Sequence, residues 1–175
     1  MLYQVGALRH LADDHMYQHR PAEAAECLDR ALELSQASGE RWNRSELSGM
    51  RARAALEMGD LPAADELIDR AIAWLREYDV TAISEVQQSL GMIRAAQGRE
   101  QEAESALRWS LEVFSATQFN WNKVDPALAL ARFLAKRGDA DEASELIDTY
   151  ESWAHDRGIV LWDREFEEIR ALIAG

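Results

Sequence analysis

Four alanines, Ala24, Ala64, Ala103 and Ala143, lie 40, 39 and 40 residues apart, each inside a segment that resembles the others. The segments read HRPAEAAECLDRAL from His19, GDLPAADELIDRAI from Gly59, GREQEAESALRWSL from Gly98 and GDADEASELIDTYE from Gly138. In each, a turn residue precedes the alanine by five positions; it is glycine in three cases and histidine in the first. A glycine there supplies the left-handed conformation that ends a helix, and a small residue five positions on lets the next helix pack closely on its partner. Each segment is therefore the second half of a helical hairpin. A period near 40 residues predicts that such hairpins stack into a solenoid, each burying its apolar faces against its neighbours.

Composition agrees. The chain has 175 residues, of which 47% are hydrophobic and 29% charged, the balance of a globular domain with a substantial core. Three prolines and nine glycines are too few for the many turns of an all-β protein. Apolar residues recur at helical spacing, as in the stripe Leu47, Met50, Ala54 and Met58. The expected architecture is an all-α solenoid of four hairpins, about 2–38, 43–78, 81–117 and 122–157, closed by a capping helix over 163–174. One domain spans 1–175. In the cap, Phe166, Ile169 and Ile173 are placed over the fourth hairpin, with Arg164, Glu165 and Glu168 toward water.

The pattern of turn Gly-Asp, alanine, a large apolar residue and a small one resembles the tetratricopeptide repeat. Ala24, Leu28 and Ala31 fit it, as do Ala64, Ile68 and Ala71, then Ala103, Leu107 and Ser110; in Ala143, Ile147 and Tyr150 the last position departs. The usual period is about 34. The longer one here, with Glu46, Leu47, Met50, Arg51 and Ala52, resembles the repeat arrays of bacterial signalling ATPases, transcription activators and ATPase-linked nucleotide cyclases. The resemblance implies a protein–protein interaction module, a scaffold or sensor in a bacterial regulatory system, either part of a larger regulator or a stand-alone relative. It also implies that the first helices of the hairpins line a concave groove and the second helices a convex face. Superposing the repeats places Arg9, Arg53, Gln88, Met92, Arg132 and Lys136 toward the groove. Arginines in such a channel pair bidentately with carboxylates, so the expected partner is a protein or peptide segment, an acidic one by preference. Pairing of these arginines with acids on neighbouring helices would instead leave the groove silent.

Two alternatives stand beside this reading. A small-molecule sensing array would use aromatic residues near the groove, with Tyr17 and Trp121 the best candidates. Self-association as a homodimer would use the N-terminal helix, whose Leu2, Val5, Leu8 and Leu11 have no evident cover. The sequence holds no GxxxxGK[ST] and no GxSxG, and no catalytic residues, cofactor or metal site are assigned. His10–Asp14 and His15–His19 have helical ligand spacing but no convergent third ligand. Cys27, alone, makes no internal disulfide and reads as a small buried hydrophobe. Arg51, beside the apolar stripe, is expected to run its stem along the core and meet a carboxylate.

The net charge of −13 argues against nucleic-acid binding. Glu23, Glu26, Glu33, Glu100, Glu102, Glu104, Asp141, Glu142, Glu145 and Asp148 concentrate that charge on the second helices, where solubility accounts for it. Without a signal-like or membrane-length apolar run, a cytoplasmic location is expected. Finally, Trp-(Asn/Asp)-(Arg/Lys) recurs at Trp42, Trp121 and Trp162. Its place before first helices reads as a joint, with Asn43 an N-cap, Glu46 completing a capping box, and Thr81 capping the helix that lacks the motif.

Overall fold

The computed structural model describes residues 2–39, 41, 43–115 and 123–175. In chain order the helices are α1 (Leu2–Tyr17), α2 (Pro21–Ala37), α3 (Arg44–Glu57), α4 (Leu61–Trp74), α5 (Val80–Ala96), α6 (Glu100–Ser115), α7 (Val124–Arg137), α8 (Ala140–His155) and α9 (Asp163–Ala174). No strand occurs among the described residues. These helices form four antiparallel hairpins and a final helix, stacked as a solenoid.

The hairpin turns share one geometry. Gly59, Gly98 and Gly138 adopt φ of 80°, 73° and 96°, and His19 takes the same place at 54°, the one non-glycine residue with positive φ among those described. Each turn closes with the same pair of backbone bonds, as when Gly59 N–H donates to Leu56 C=O and Asp60 N–H to Ala55 C=O, both at 2.9 Å. His19 and Arg20 repeat this with Met16 and His15, so the fold holds even where a side chain costs roughly 1–2 kcal/mol in the left-handed region.

Five residues on, Ala24, Ala64, Ala103 and Ala143 are all fully buried. Close helix approach also uses residues that the repeat pattern does not show. Ser84 and Ser110 bond reciprocally across α5 and α6, each hydroxyl donating to the other's carbonyl at 3.0 and 2.8 Å. Ser48 does the same from α3 to Leu67 C=O of α4 at 3.3 Å. A side chain on Gly91 would place Cβ 2.6 Å from Leu107 Cγ, so the α5–α6 crossing admits only glycine without rearrangement. Buried serines at these crossings satisfy their own hydroxyls on the opposing backbone, which removes the penalty of burying them.

The core forms three clusters along the stack. Val5, Ala12, Leu28, Leu47 and Met50 join α1 to α3; Ala52, Ile68, Val86 and Ile93 join α3 to α5; Leu107, Leu130, Leu134, Ile147, Phe166 and Ile169 complete the far end. Met58, the last member of the expected stripe, lies 43% exposed beyond the end of α3. Arg51 lies along this core and donates to Asp29 at 2.9 Å.

Several local expectations are corrected. Asn43 precedes α3, but its side chain makes no capping bond, and Glu46 is buried against Arg9 at 2.8 Å instead of closing a capping box. The caps that form are Asp60 on Ala63 N–H and Asp79 on Ala82 N–H, both at 3.1 Å; Thr81 lies within the first turn of α5. Trp162 itself occupies the N-cap position of α9, so Asp163 is helical and meets His155 at 2.8 Å. Trp42, Trp121 and Asn122 fall outside the described residues. On α1, Val5 and Leu8 are covered by the core, leaving Tyr3 and Leu11 exposed. The side chain of Leu2 falls outside those described.

Candidate functional site

The first helices of the hairpins, together with α9, enclose a groove of about 800 Å³. Its floor is apolar, from Met16 of α1, Met92 of α5, Leu107 of α6, and Leu128 and Phe133 of α7. Its walls are charged. Five of the six residues placed there by superposing the repeats line it: Arg53, Gln88, Met92, Arg132 and Lys136. Arg9 does not, but contacts Asp13, which does, at 3.6 Å.

The walls are not the basic channel that those arginines suggest on their own. Arg53, Arg132, Lys136 and Arg164 face the cavity together with Asp13, Glu57, Asp125, Glu165 and Glu168. Moreover, the arginines are engaged across helices: Arg9 with Glu46 at 2.8 Å, Arg132 with Glu168 at 3.1 Å, and Arg53 near Glu85 at 3.8 Å. Lys136, exposed on the last turn of α7, has no ion pair among the described residues. The acids of α9 are thus not simply turned to water. Glu168 accepts from both Arg132 and Arg164, and Glu165 Oε2 is buried with no partner among the described residues.

Asp125 organises the junction of the first and fourth hairpins. Tyr17 Oη donates to its Oδ2 at 2.6 Å and Trp162 Nε1 to its Oδ1 at 2.8 Å, while Gln88 Nε2 approaches the Asp125 backbone carbonyl at 3.5 Å. The end of α1, the start of α7 and the entry to α9 are therefore tied at one carboxylate. Burial, and then the Asp125 charge, raise the Tyr17 pKa and hold its phenol protonated.

Charge is unevenly compensated there. Burial pushes the Asp13 carboxyl up to about 6 despite Arg9 and Arg53, with Glu85 and Asp125 adding to the rise. Burial likewise raises Glu46. At Arg53 burial works against the cation, but Glu85, Asp125 and Asp13 outweigh it and raise its pKa. Its Nε is buried with no hydrogen-bond partner among the described residues.

The convex side is held by a different arrangement. Arg108 grips Glu142 of the next hairpin with two bonds at 2.7 and 2.9 Å, and Arg137 reaches Glu104 at 2.6 Å. These contacts hold Glu104 and Glu142 below the usual carboxylate range. Part of the acidic surface therefore binds adjacent hairpins to one another, although exposed pairs of this kind contribute little individually.

Sequence reasoning did not single out Asp13 or Asp125 as groove residues, nor Glu85 beside Arg53, and read Trp162 as a joint only. Among the described residues, no three His, Cys, Asp or Glu side chains are grouped to hold a metal, and no helix is long and apolar enough to cross a membrane. Cys27 is half-buried against the cluster that joins α1 to α3.

This architecture defines a tetratricopeptide-like helical repeat solenoid. It is similar to the crystal structure of nearly identical TPR-like repeats assigned to a kinesin light chain of Podosopora anserina, at 18% identity and a TM-score of 0.57, covering 97% of this chain and 93% of that one. A single-substitution form of the same repeats gives 19% identity and a TM-score of 0.56 over 97% and 94% of the two chains. No family model matches the chain. No curated protein matches it either.

Proposed function

We infer that the chain is a protein–protein interaction module that holds a peptide, or a segment of a partner domain, in its concave groove. One observation carries this: four helical hairpins and α9 converge on a cavity of about 800 Å³ with an apolar floor and charged walls. Such a surface suits a partner that buries apolar side chains centrally and satisfies polar groups at the edges. TPR-like repeats commonly serve this role. The 40-residue period, with Glu46, Leu47, Met50, Arg51 and Ala52, supports the finer reading, a scaffold or sensor akin to the repeat arrays of bacterial signalling ATPases and transcription activators. The acidic preference loses its support, because the arginines behind it are met by the protein's own carboxylates.

The test is to pan a random peptide library, displayed on phage, against the full chain and titrate the enriched peptides by calorimetry. Met92→Glu, which puts a charge on the groove floor, should abolish their binding. Peptides that bind the variant unchanged would place the interaction elsewhere and end the groove reading.

A small-molecule sensor is the second reading, favoured by the groove's volume, which lies within the range of ligand pockets, and by Tyr17 in its wall. A metabolite that raises the melting temperature of the parent but not of Met92→Glu would support it.

A further inference from the structure

Six charged side chains meet where α1, α3, α5 and α7 converge: Arg9 and Asp13, Glu46 and Arg53, Glu85, and Asp125. Within this set two guanidiniums stand against four carboxylates, while Glu57, also near Arg53, is met by Arg132 and His19 as well. Internal pairing does not remove the excess. Arg9 is shared between Glu46 at 2.8 Å and Asp13 at 3.6 Å, and Arg53 remains 3.8 Å from Glu85, beyond hydrogen-bond reach. The Asp125 carboxylate is satisfied by a phenol and an indole, neutral donors that order it without cancelling its charge. The cluster opens into the groove through Asp13, Arg53 and Asp125, beside Met16 and Met92.

Given the interaction reading above, on which this rests, the geometry points to a partner segment that presents a lysine or arginine flanked by apolar residues. Its cation sits against Asp13 and supplies the positive charge that the cluster lacks. Its aliphatic stem lies over Met16 and Met92, the arrangement by which long basic side chains use both halves of their structure. The whole chain favours the same sign, since a net charge of −13 steers a cationic segment toward it and repels an acidic one. This is the reverse of the partner that the groove arginines suggest when read without their carboxylates.

The enriched peptides of the panning experiment test it. The expected result is a basic residue within an apolar run in the enriched set. Asp13→Asn should weaken such a peptide about tenfold, from loss of one charge at contact distance in a partly buried site. Exchanging the peptide's basic residue for glutamine should weaken it similarly, and in the Asp13→Asn background should have almost no further effect. Peptides that lose binding in Met92→Glu yet are acidic or uncharged, or that bind Asp13→Asn with unchanged affinity, overturn the charge assignment and leave the groove reading intact. No enrichment, or peptides indifferent to Met92→Glu, overturns both.

Discussion

Helix α5 meets α3 on one side and α7 on the other, and the two seams are built from different materials. Toward α3 the contact is close and largely apolar: a Cβ on Gly49 would lie 3.3 Å from Val86 Cγ2, and Ala52, Ala55, Val86 and Ile93 pack there, with the Arg53–Glu85 pair along one side. Toward α7 the helices are bridged by a long contact from Gln88 to Asp125 C=O, and the space between them is groove. Small residues fix a backbone spacing by leaving no alternative packing. Large and charged ones leave a space that something else can enter. The solenoid thus has a rigid block, α3 to α6, and an open seam beside it.

The strongest test of the rigid block is Gly91→Ala. The new methyl would meet Leu107 Cγ at 2.6 Å and Ala103 C=O at 3.0 Å, and should destabilise the protein by about 2–3 kcal/mol in denaturant titration. A loss below about 0.5 kcal/mol would mean that Leu107 slides into the groove it borders, and that the block is softer than its packing implies.

The open seam depends on Asp125. Asp125→Ala leaves Tyr17 Oη and Trp162 Nε1 without their acceptor and should cost about 2 kcal/mol. Tyr17→Phe alone should cost about 1 kcal/mol and add little in the Asp125→Ala background. Additive losses would show that Tyr17 acts through packing alone.

Asp13 gives the seam a pH signature. Its folded pKa is raised, so between its unfolded value and about 6 the folded state holds a proton that the unfolded state releases. The stability from this proton is present on the acid side and lost as pH rises through about 6. Arg9 and Arg53 oppose the rise while Glu85 and Asp125 reinforce it. Asp13→Asn should therefore be more stable than the parent by about 1 kcal/mol above pH 7, with the two converging near pH 4. A gain independent of pH would point to packing. The smallest effect expected is that of Asn43→Ala, a few tenths of a kcal/mol by melting, because the side chain forms no capping bond.

The fold was legible because its determinants are local: a turn residue, an alanine five positions on, and the same again some forty residues later. Superposing the repeats places five residues that line the groove, but puts Arg9 there wrongly and passes over Asp13 and Asp125. The partners of the arginines were not legible, because each lies on another hairpin. Yet a signal was present. Arg9 and Glu46 are 37 residues apart, Arg132 and Glu168 36, and Arg108 and Glu142 34, so opposite charges spaced by nearly one repeat mark neighbours across a seam. Asp125 lacked that cue: Trp162 and Gln88 lie 37 residues from it but carry no charge, and its bond to Tyr17 spans 108 residues. Asn43 misled because capping statistics describe a position, whereas the neighbouring Glu46 had a buried arginine to meet.

The bond between Tyr17 and Asp125 bears on how such a chain can evolve. Repeat arrays ordinarily gain or lose units by duplication, since each unit touches only the next. Here a residue in the first hairpin is matched to one in the fourth. Copying an internal unit would carry Asp125 out of reach of Tyr17, and deleting one would bring the wrong helix to meet it. The copy number of this array is written into a single hydrogen bond.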